Sequence, residues 1–161
     1  MFRIFVVPVL FALLSGCAGM PEFDTSGVDR ALTPQSVNAE PEASRGKLAL
    51  WGGTVLETRN LKATTQIEML AYPLDDSYRP MLDSKPLGRF IVEHAGYLEP
   101  TTYAQGRQLT VLGRVSGSQE GNVGEASYSY PVISDSQLHL WSKSDSGGTR
   151  VHFGLGVGIG L

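Results

Sequence analysis

The middle of the chain consists of short apolar and β-branched runs separated by turn residues. In residues 63–72, apolar positions alternate with polar residues such as Gln66 and Glu68, which is the period of a strand with one buried and one wet face. The same reading predicts strands at residues 47–58, 63–72, 87–94, 108–116, 125–133 and 137–141. Residues 47–142 contain no helical period of useful length, so the pattern predicts an all-β domain.

The segments between these strands predict how the domain is arranged. Residues 59–62 join the first two strands as a hairpin, and residues 117–124 form a loose loop. Residues 99–106 predict one helical turn, because Pro100 stands near its start and Gly106 at its end. Five strands with a short helix between the third and the fourth is the element order of an OB-fold.

Two glycines inside predicted strands favour closure into a barrel. Gly53 and Gly113 each follow another glycine, Gly46 and Gly106, at the same spacing. Glycine inside a strand usually marks a bulge or a sharp coil, and a small closed barrel needs such places. We therefore predict a small OB-like barrel of five to six strands, with at most one or two short helical turns. An open sandwich of the same strands is the alternative.

The N-terminus has the layout of a secretory signal. Arg3 gives a positive start, and residues 4–14 form an apolar run followed by two small residues. The run is too short to span a bilayer as a permanent helix. Leu14-Ser15-Gly16-Cys17 matches the bacterial lipobox, in which the thiol receives a diacylglyceryl group and a peptidase then cuts before the cysteine. We predict a lipoprotein signal peptide at residues 1–16 and lipidation of Cys17.

Cys17 is the only cysteine of the chain, so an internal disulfide is impossible. The alternative to lipidation is a plain signal peptide that leaves a free thiol in an oxidising compartment, where such a thiol is a liability. At about 0.8 kcal/mol per buried CH₂, even two acyl chains such as palmitate anchor a protein stably. Asp after the cysteine usually retains a lipoprotein at the inner membrane of Gram-negative bacteria, so Ala18 favours the outer membrane.

Residues 17–46 are predicted to be the lipidated cysteine and a flexible tether. The segment is polar and holds three prolines. As a flexible chain, some 28 residues have a root-mean-square reach of roughly 30 Å. Thr33 and Pro34 are suited to the N-cap and the first position of one helical turn at residues 33–37. Docking of that turn on the barrel would shorten the reach.

Several blocks of residues, in order along the chain, resemble one protein family. They include Leu50-Trp51-Gly52-Gly53-Thr54-Val55, Ala71-Tyr72-Pro73-Leu74-Asp75, Gly96-Tyr97-Leu98-Glu99-Pro100 and His139-Leu140-Trp141. With the lipobox, the blocks resemble the Slp family of outer-membrane lipoproteins over roughly residues 1–141. The resemblance implies an outer-membrane lipoprotein of a Gram-negative bacterium, associated with starvation or stress. It implies no reaction and carries no catalytic residue.

Charge argues against nucleic acid as a partner. The chain has a net charge of −3, and removal of residues 1–16 with Arg3 makes it −4. Residues 47–142 hold eight Lys and Arg against ten Asp and Glu, so they offer no basic face for phosphates. We predict no nucleic-acid binding.

The residues that could take part in catalysis or metal binding lack the spacing that these functions need. His94, His139 and His152 are far apart, without a second ligand at metal spacing. The acids around Asp75 lack the regular ligand spacing of a calcium loop, and Ser116 is wrongly placed for a nucleophile elbow. We predict no catalytic residue, no metal and no cofactor.

Aromatic residues leave a binding role open, because OB-folds often take oligonucleotides or sugars. They could line a ligand surface, although aromatic residues at this density more often belong to the core and the barrel rim. The residues concerned are Trp51, Tyr72, Tyr78, Tyr97, Tyr103, Tyr128, Tyr130 and Trp141.

The C-terminal segment, residues 143–161, has a pattern of its own. From residue 151 on, apolar residues occupy the odd positions, and glycines occupy the even positions after His152. Such a strand would have one apolar face, which favours pairing with the same segment of another protomer or contact with lipid. A frayed, disordered tail is the alternative. The predicted contact residues are Val151, Phe153, Leu155, Val157, Ile159 and Leu161.

These features lead to one functional prediction and two alternatives. We predict a barrel at residues 47–142 that is lipid-anchored at the outer membrane and faces the periplasm. It would act as a non-enzymatic structural or interaction protein linked to starvation or stress, with a second copy or another envelope protein as partner. One alternative is a small-ligand or glycan-binding module of the periplasm. The other is an oligomeric, membrane-inserted assembly formed through the C-terminal segment.

Overall fold

The computed structural model describes residues 21–143, and strands occupy most of that range. The elements are α1 (Pro34–Ala39), α2 (Pro41–Ser44), β1 (Leu48–Asn60), β2 (Thr64–Tyr72), β3 (Gly88–Ala95), β4 (Gln108–Val123) and β5 (Ala126–Leu140). The predicted signal peptide, Cys17 and the contact residues of the C-terminal segment lie outside the described residues. No helix between residues 21 and 143 has the length and apolar character needed to cross a bilayer.

The five strands close into a barrel in the order β1-β2-β3-β5-β4, and β4 pairs back to β1. The pairings are antiparallel except between β3 and β5, which run parallel with Ile91 opposite Val132. Between β3 and β4, the amide of Tyr103 donates to the carbonyl of Glu99 at 3.1 Å and forms the single predicted helical turn. The predicted OB-like barrel is therefore confirmed, and the alternative of an open sandwich is wrong.

The second half of the sheet differs from the strand prediction. Residues 117–124 are not a loose loop, because β4 and β5 continue as a hairpin that pairs as far as Val123 and Ala126. The predicted separate strand at residues 137–141 belongs to β5, which runs unbroken to Leu140. The hairpin was missed because its polar residues hardly alternate with apolar ones. Backbone hydrogen bonds between β4 and β5, rather than burial, define the strands there.

Gly53 and Gly113 lie at positions in the barrel wall where a neighbouring strand leaves no room for a side chain. A Cβ atom on Gly53 would lie 1.9 Å from the carbonyl oxygen of Leu70 on β2. A Cβ atom on Gly113 would lie 2.5 Å from the carbonyl oxygen of Ser134, and the β4–β5 register shifts beside it. Gly53 therefore allows a close approach of two strands, and Gly113 marks a bulge.

Inward-facing side chains of all five strands form the core. Trp51 and Phe90 meet edge to face with ring centroids 5.1 Å apart, which is a favoured aromatic geometry. The other buried strand residues of this cluster are Ala49, Val55, Ile67, Met69, Ala71, Val92, Leu109, Val111, Val115 and Ile133.

The segment before β1, residues 21–47, closes one end of the barrel; we call it the N-terminal arm. Its Leu32 and Val37 belong to the same buried cluster as the strand residues. The indole nitrogen of Trp51 donates a hydrogen bond to the carbonyl oxygen of Leu32 at 2.7 Å. The barrel end where β1 begins and β2 finishes is therefore filled by the arm, and we call it the arm end.

Capping chemistry explains why the arm turns at this point. The Thr33 hydroxyl accepts from the amide of Ser36 at 3.1 Å, and the Ser36 hydroxyl accepts from the amide of Thr33 at 2.9 Å. Pro34 follows at the first helical position, where its missing N–H costs nothing. The predicted turn with its Thr33 cap is confirmed, and it docks on β3 and β5.

Contacts with the barrel hold the described part of the predicted tether, residues 21–46. The amide of Gly46 donates to Val115 at 2.8 Å, and that of Asp29 donates to Leu48 at 3.1 Å. Contacts with the barrel begin at Glu22, whose carbonyl accepts from Gln137 at 3.3 Å. The physical reason is that the few apolar residues of the arm are placed where they fill the barrel end.

We expect Val37→Asp to destabilise the protein by about 3 kcal/mol or more, because it buries an unpaired charge. Gln35→Asp, on the exposed face of the same helix, should change the free energy of unfolding by less than about 0.5 kcal/mol. Denaturant unfolding followed by fluorescence of the buried Trp51 and Trp141 measures both. Equal stability of the two variants would mean that the arm is not part of the fold.

Candidate functional site

The outer face of β2 and β3, together with the β4–β5 connection, is where OB-folds take their ligands. Here that face carries a cleft of about 290 Å³ beneath the β4–β5 hairpin (residues 117–132), and we call it the hairpin cleft. Outward positions of β2 supply Gln66 and Glu68, because the inward positions alternate with them. The complete lining is Glu57, Arg59, Gln66, Glu68, Ile91, Gln119, Glu120, Gly121, Asn122 and Tyr130.

A second apolar cluster holds the hairpin against the barrel. Ile91 of β3 packs with Tyr130 and Val132 of β5, and all three are at least nine-tenths buried. The rings of Tyr128 and Tyr130 meet edge to face at 4.8 Å. The hairpin thereby covers apolar surface that the bases of a nucleic acid would otherwise need for stacking.

Hydrogen bonds fix the same hairpin at both of its strands. The side-chain amide of Gln66 donates to Gln119 at 3.1 Å. The Tyr130 hydroxyl donates to the carbonyl of Asn122 at 3.0 Å, and the Tyr128 hydroxyl accepts from the amide of Arg89 at the same distance. The walls of the cleft are therefore largely pre-formed, as small-molecule sites usually are.

The charges at the cleft are mostly paired within the protein. Arg89 Nη1 lies 2.7 Å from Glu68 Oε1, and Arg59 Nη2 lies 3.1 Å from Glu57 Oε2. Glu120 adds a further negative charge to the lining. Carboxylates and amides in a small cleft suit a neutral, hydroxyl-rich ligand, and they repel phosphates.

Burial raises the pKa of Tyr130 above its ordinary value of 10.0, and the negative charge of Glu68 raises it further. The phenol therefore stays neutral in the packed hairpin and keeps donating its hydrogen bond to Asn122.

A second concavity lies at the arm end, between the N-terminal arm and the β2–β3 loop (residues 73–87). This arm groove has a volume of about 540 Å³ and mixes apolar residues such as Leu50 and Tyr72 with Asp29 and Asp75. Tyr78 in its wall has φ of 64°, a left-handed conformation that costs a non-glycine residue of order 1–3 kcal/mol.

Packing from two sides holds the strained backbone of Tyr78. Its carbonyl accepts from the Thr110 hydroxyl at 2.7 Å, and its ring meets that of Phe23 of the arm edge to face at 5.6 Å. The β2–β3 loop is thus tied both to β4 and to the arm.

The residues that the sequence identified as candidates for catalysis or metal binding are separated in the described part of the fold, and His152 lies outside it. His94 Nδ1 lies 2.8 Å from Asp135 Oδ2, and the His139 ring meets that of Trp141 edge to face with centroids 4.4 Å apart. Asp75 accepts from the amides of Ser77 and Arg79 and so shapes its own turn. Within residues 21–143, no three His, Cys, Asp or Glu side chains are grouped to hold a metal ion.

The aromatic residues divide between core and surface. Trp51, Tyr130 and Trp141 are buried, whereas Tyr97 is 67% exposed. Tyr72 and Tyr78 line the arm groove. The aromatic surface considered from the sequence is therefore not one continuous face.

Two sets of predicted site residues lie outside the described residues and stay predictions. The first is the lipobox, Leu14, Ser15 and Gly16, with Cys17. The second is the apolar set of the C-terminal segment, Val151, Phe153, Leu155, Val157, Ile159 and Leu161.

Sequence reasoning missed the wall of the hairpin cleft at Gln119, Glu120 and Asn122. One signal could have found it: Gly124, which has φ of 61°, closes a tight turn between two segments of β-forming length. The apolar side of the hairpin, with Tyr128 and Tyr130, is also spaced at the strand period.

The sequence is similar to one family of outer-membrane lipoproteins and to two proteins of Escherichia coli. A model of the outer membrane lipoprotein Slp family matches residues 14–154. The chain is 31% identical over 136 residues to the "Uncharacterized lipoprotein YeaY" of Escherichia coli (strain K12), with 81% of this chain and 68% of that protein covered. It is 26% identical over 132 residues to the "Outer membrane protein Slp" of the same strain, with 80% and 69% covered.

Two further similarities say less about function. An uncharacterized protein of Haemophilus influenzae is 30% identical over 137 residues, with 81% of this chain and 72% of that protein covered. A solved structure of a small single-stranded DNA-binding protein from Streptomyces coelicolor is similar with a TM-score of 0.39 and 14% identity, over 59% of this chain and 94% of that one. A likeness of this degree carries no argument about fold or ligand.

Ionisation of the Tyr130 phenol should make the protein less stable at alkaline pH. A group whose pKa is raised on folding stabilises the folded state below its unfolded pKa, and this contribution is lost as the pH rises through the folded pKa. The free energy of unfolding should therefore fall above pH 10.0, and Tyr130→Phe should reduce that fall. At neutral pH, Tyr130→Phe should lower the free energy of unfolding by about 1 kcal/mol, because it removes the hydrogen bond to Asn122.

Tyr72→Phe is the matched control, because it removes a phenol that lines the arm groove and lies outside the hairpin. Denaturant unfolding of the three proteins at neutral and alkaline pH gives the comparison. An equal alkaline loss in the wild type and in Tyr130→Phe would contradict this account of the hairpin.

Proposed function

The chain belongs to the Slp family of outer-membrane lipoproteins, and we propose that it is a lipid-anchored, non-enzymatic interaction protein of the cell envelope. In this proposal acyl chains on Cys17 hold it at the outer membrane, and the barrel faces the periplasm under starvation or stress. The family match begins at residue 14, the first residue of the lipobox, which supports Cys17 as the anchor.

One observation supports this proposal most: the arm that follows the anchor is built into the barrel. Leu32 and Val37 are buried in the core, and the carbonyl of Glu22, five residues after Cys17, already accepts a hydrogen bond from Gln137 of the barrel. Such a connection holds a rigid surface close to the membrane, where it can meet a second copy or another envelope protein. A long free tether would instead let the barrel search a large volume.

The pairing of titratable groups supports a non-enzymatic role. Arg89 is bonded to Glu68, and His94 contacts the nearly buried Asp135. Groups that act on a substrate need a free position toward a reacting atom. These pairs instead join neighbouring strands, which is a structural use of charge.

A second candidate function is the binding of a small polar ligand, with a glycan as the best fit. The hairpin cleft favours it, because pre-formed walls carry amide and carboxylate groups from Gln66, Glu57 and Glu120. Sugar hydroxyls pair with such groups, and the small volume suits one or two sugar rings better than an oligonucleotide.

Cys17→Ser should remove the protein from the outer-membrane fraction, because it removes the sulfur that receives the lipid. Globomycin, which inhibits the lipoprotein signal peptidase, should leave the precursor uncleaved. Ala18→Asp is the matched control: it should keep the protein membrane-bound but move it to the inner membrane. Cys17→Ser protein that stays in the outer-membrane fraction would show that lipid on Cys17 is not what holds it.

Glycan binding should raise the melting temperature when N-acetylglucosamine oligomers or soluble peptidoglycan fragments are added. Gln66→Ala should reduce the rise, and Gln35→Ala, whose side chain is not part of the cleft lining, should not. The absence of any rise, or a rise that both variants keep equally, would remove the hairpin cleft as a glycan site.

A further inference from the structure

The two ends of the described chain meet at the β2–β3 loop. At the N-terminal side, the ring of Phe23 contacts that of Tyr78 in this loop. At the C-terminal side, the guanidinium of Arg79 lies 5.1 Å from the ring centroid of Trp141. The side chain of Gln137 also donates to the carbonyl of Glu22. The chain therefore enters and leaves the folded domain at the arm end of the barrel.

The β2–β3 loop also exposes two adjacent large apolar side chains. Met81 and Leu82 are each 40% exposed. The amide of Met81 donates to the carbonyl of Pro73 at 2.8 Å, and that of Ser84 donates to Met81 at 3.0 Å. Backbone hydrogen bonds thus hold the pair in place, so their exposure is built into the loop.

The other large exposed apolar residues of the described chain lie at the far end of the barrel. Leu61, 46% exposed, follows the last residue of β1, and Tyr97 follows the end of β3. The strand β2 separates the two ends, and its nine residues are about 30 Å long at 3.3 Å per residue.

The chain length between the anchor and the first barrel contact decides which end faces the membrane. Cys17 and Glu22 are five residues apart, and a chain of that length spans at most about 18 Å in any conformation. This reach is shorter than the barrel wall. A bilayer that holds the acyl chains of Cys17 must therefore lie near the arm end.

We infer that the β2–β3 loop is a membrane-contact surface, in which Met81 and Leu82 enter the interface of the bilayer that anchors Cys17. The inference rests on the proposed lipid anchoring of Cys17. Short anchoring at the arm end and exposed apolar residues at that same end are the two observations that carry it. In this arrangement the β2–β3 loop contacts the bilayer. The hairpin cleft lies on the side wall of the barrel and is open to the periplasm.

The charges of the loop define what kind of membrane contact this is. The β2–β3 loop holds three acidic residues, Asp75, Asp76 and Asp83, and two basic ones, Arg79 and Lys85, so it has no excess of positive charge. The contact therefore depends on burial of apolar side chains in the interface, with little dependence on anionic lipid.

The test uses the full lipidated chain in vesicles of phosphatidylethanolamine and phosphatidylglycerol. In the lipidated chain the sulfur of Cys17 carries the diacylglyceryl group and is not a free thiol, so Met81→Cys and Leu82→Cys each supply one free thiol for an environment-sensitive NBD label. Leu61→Cys is the matched control, because it labels an equally exposed leucine at the far end. Flotation of the vesicles establishes that each protein is anchored, and far-ultraviolet circular dichroism establishes that it is folded.

At positions 81 and 82, we expect the NBD emission to shift to the blue and to be quenched by lipids brominated on their acyl chains. Replacing phosphatidylglycerol with a neutral lipid should leave the shift unchanged. Position 61 should show neither effect. Labels at 81 and 82 that are as water-exposed as the label at 61, on protein that floats, would overturn the inference and leave the anchoring intact. Protein that does not float would overturn the anchoring itself and the inference with it.

Discussion

The fold depends on how one end of the barrel is closed. Trp51 points its indole N–H toward that end, and the carbonyl of Leu32 accepts it at 2.7 Å. Without the N-terminal arm this N–H would lose its protein acceptor, and the apolar end of the core would meet water. The arm is therefore part of the hydrophobic core, although its composition is that of a linker.

This closure determines how the protein is presented at the membrane. The lipobox precedes the arm, and the arm is fixed to the barrel from Glu22 onward. Under the proposed anchoring through Cys17, the acyl chains would orient the domain as well as hold it, since the chain between Cys17 and Glu22 is shorter than the barrel. At the same time the β4–β5 hairpin covers part of the face that other OB-folds offer to ligands. What remains open there is a small polar cleft with internally paired charges.

Part of this architecture could be predicted from the sequence, because the signals are local. Alternation in β2, the strand glycines Gly53 and Gly113, and the Thr33 cap each depend on neighbouring residues. The docking of the arm could not be predicted in the same way, since Leu32 and Val37 become core residues through contacts with strands far along the chain. The hairpin cleft was missed because β4 beyond residue 117 is polar and is held by its ladder. The contact of His94 with Asp135 joins residues that are distant in sequence and carry no local pattern.

The central claim is that the N-terminal arm is folded as part of the barrel. Hydrogen–deuterium exchange of the full-length lipidated protein tests it most directly. The amides of Val37, Glu40 and Gly46 are bonded to backbone carbonyls, so they should exchange nearly as slowly as those of β1. Exchange of these amides at the rate of an unstructured chain, beside protected strands, would contradict the claim.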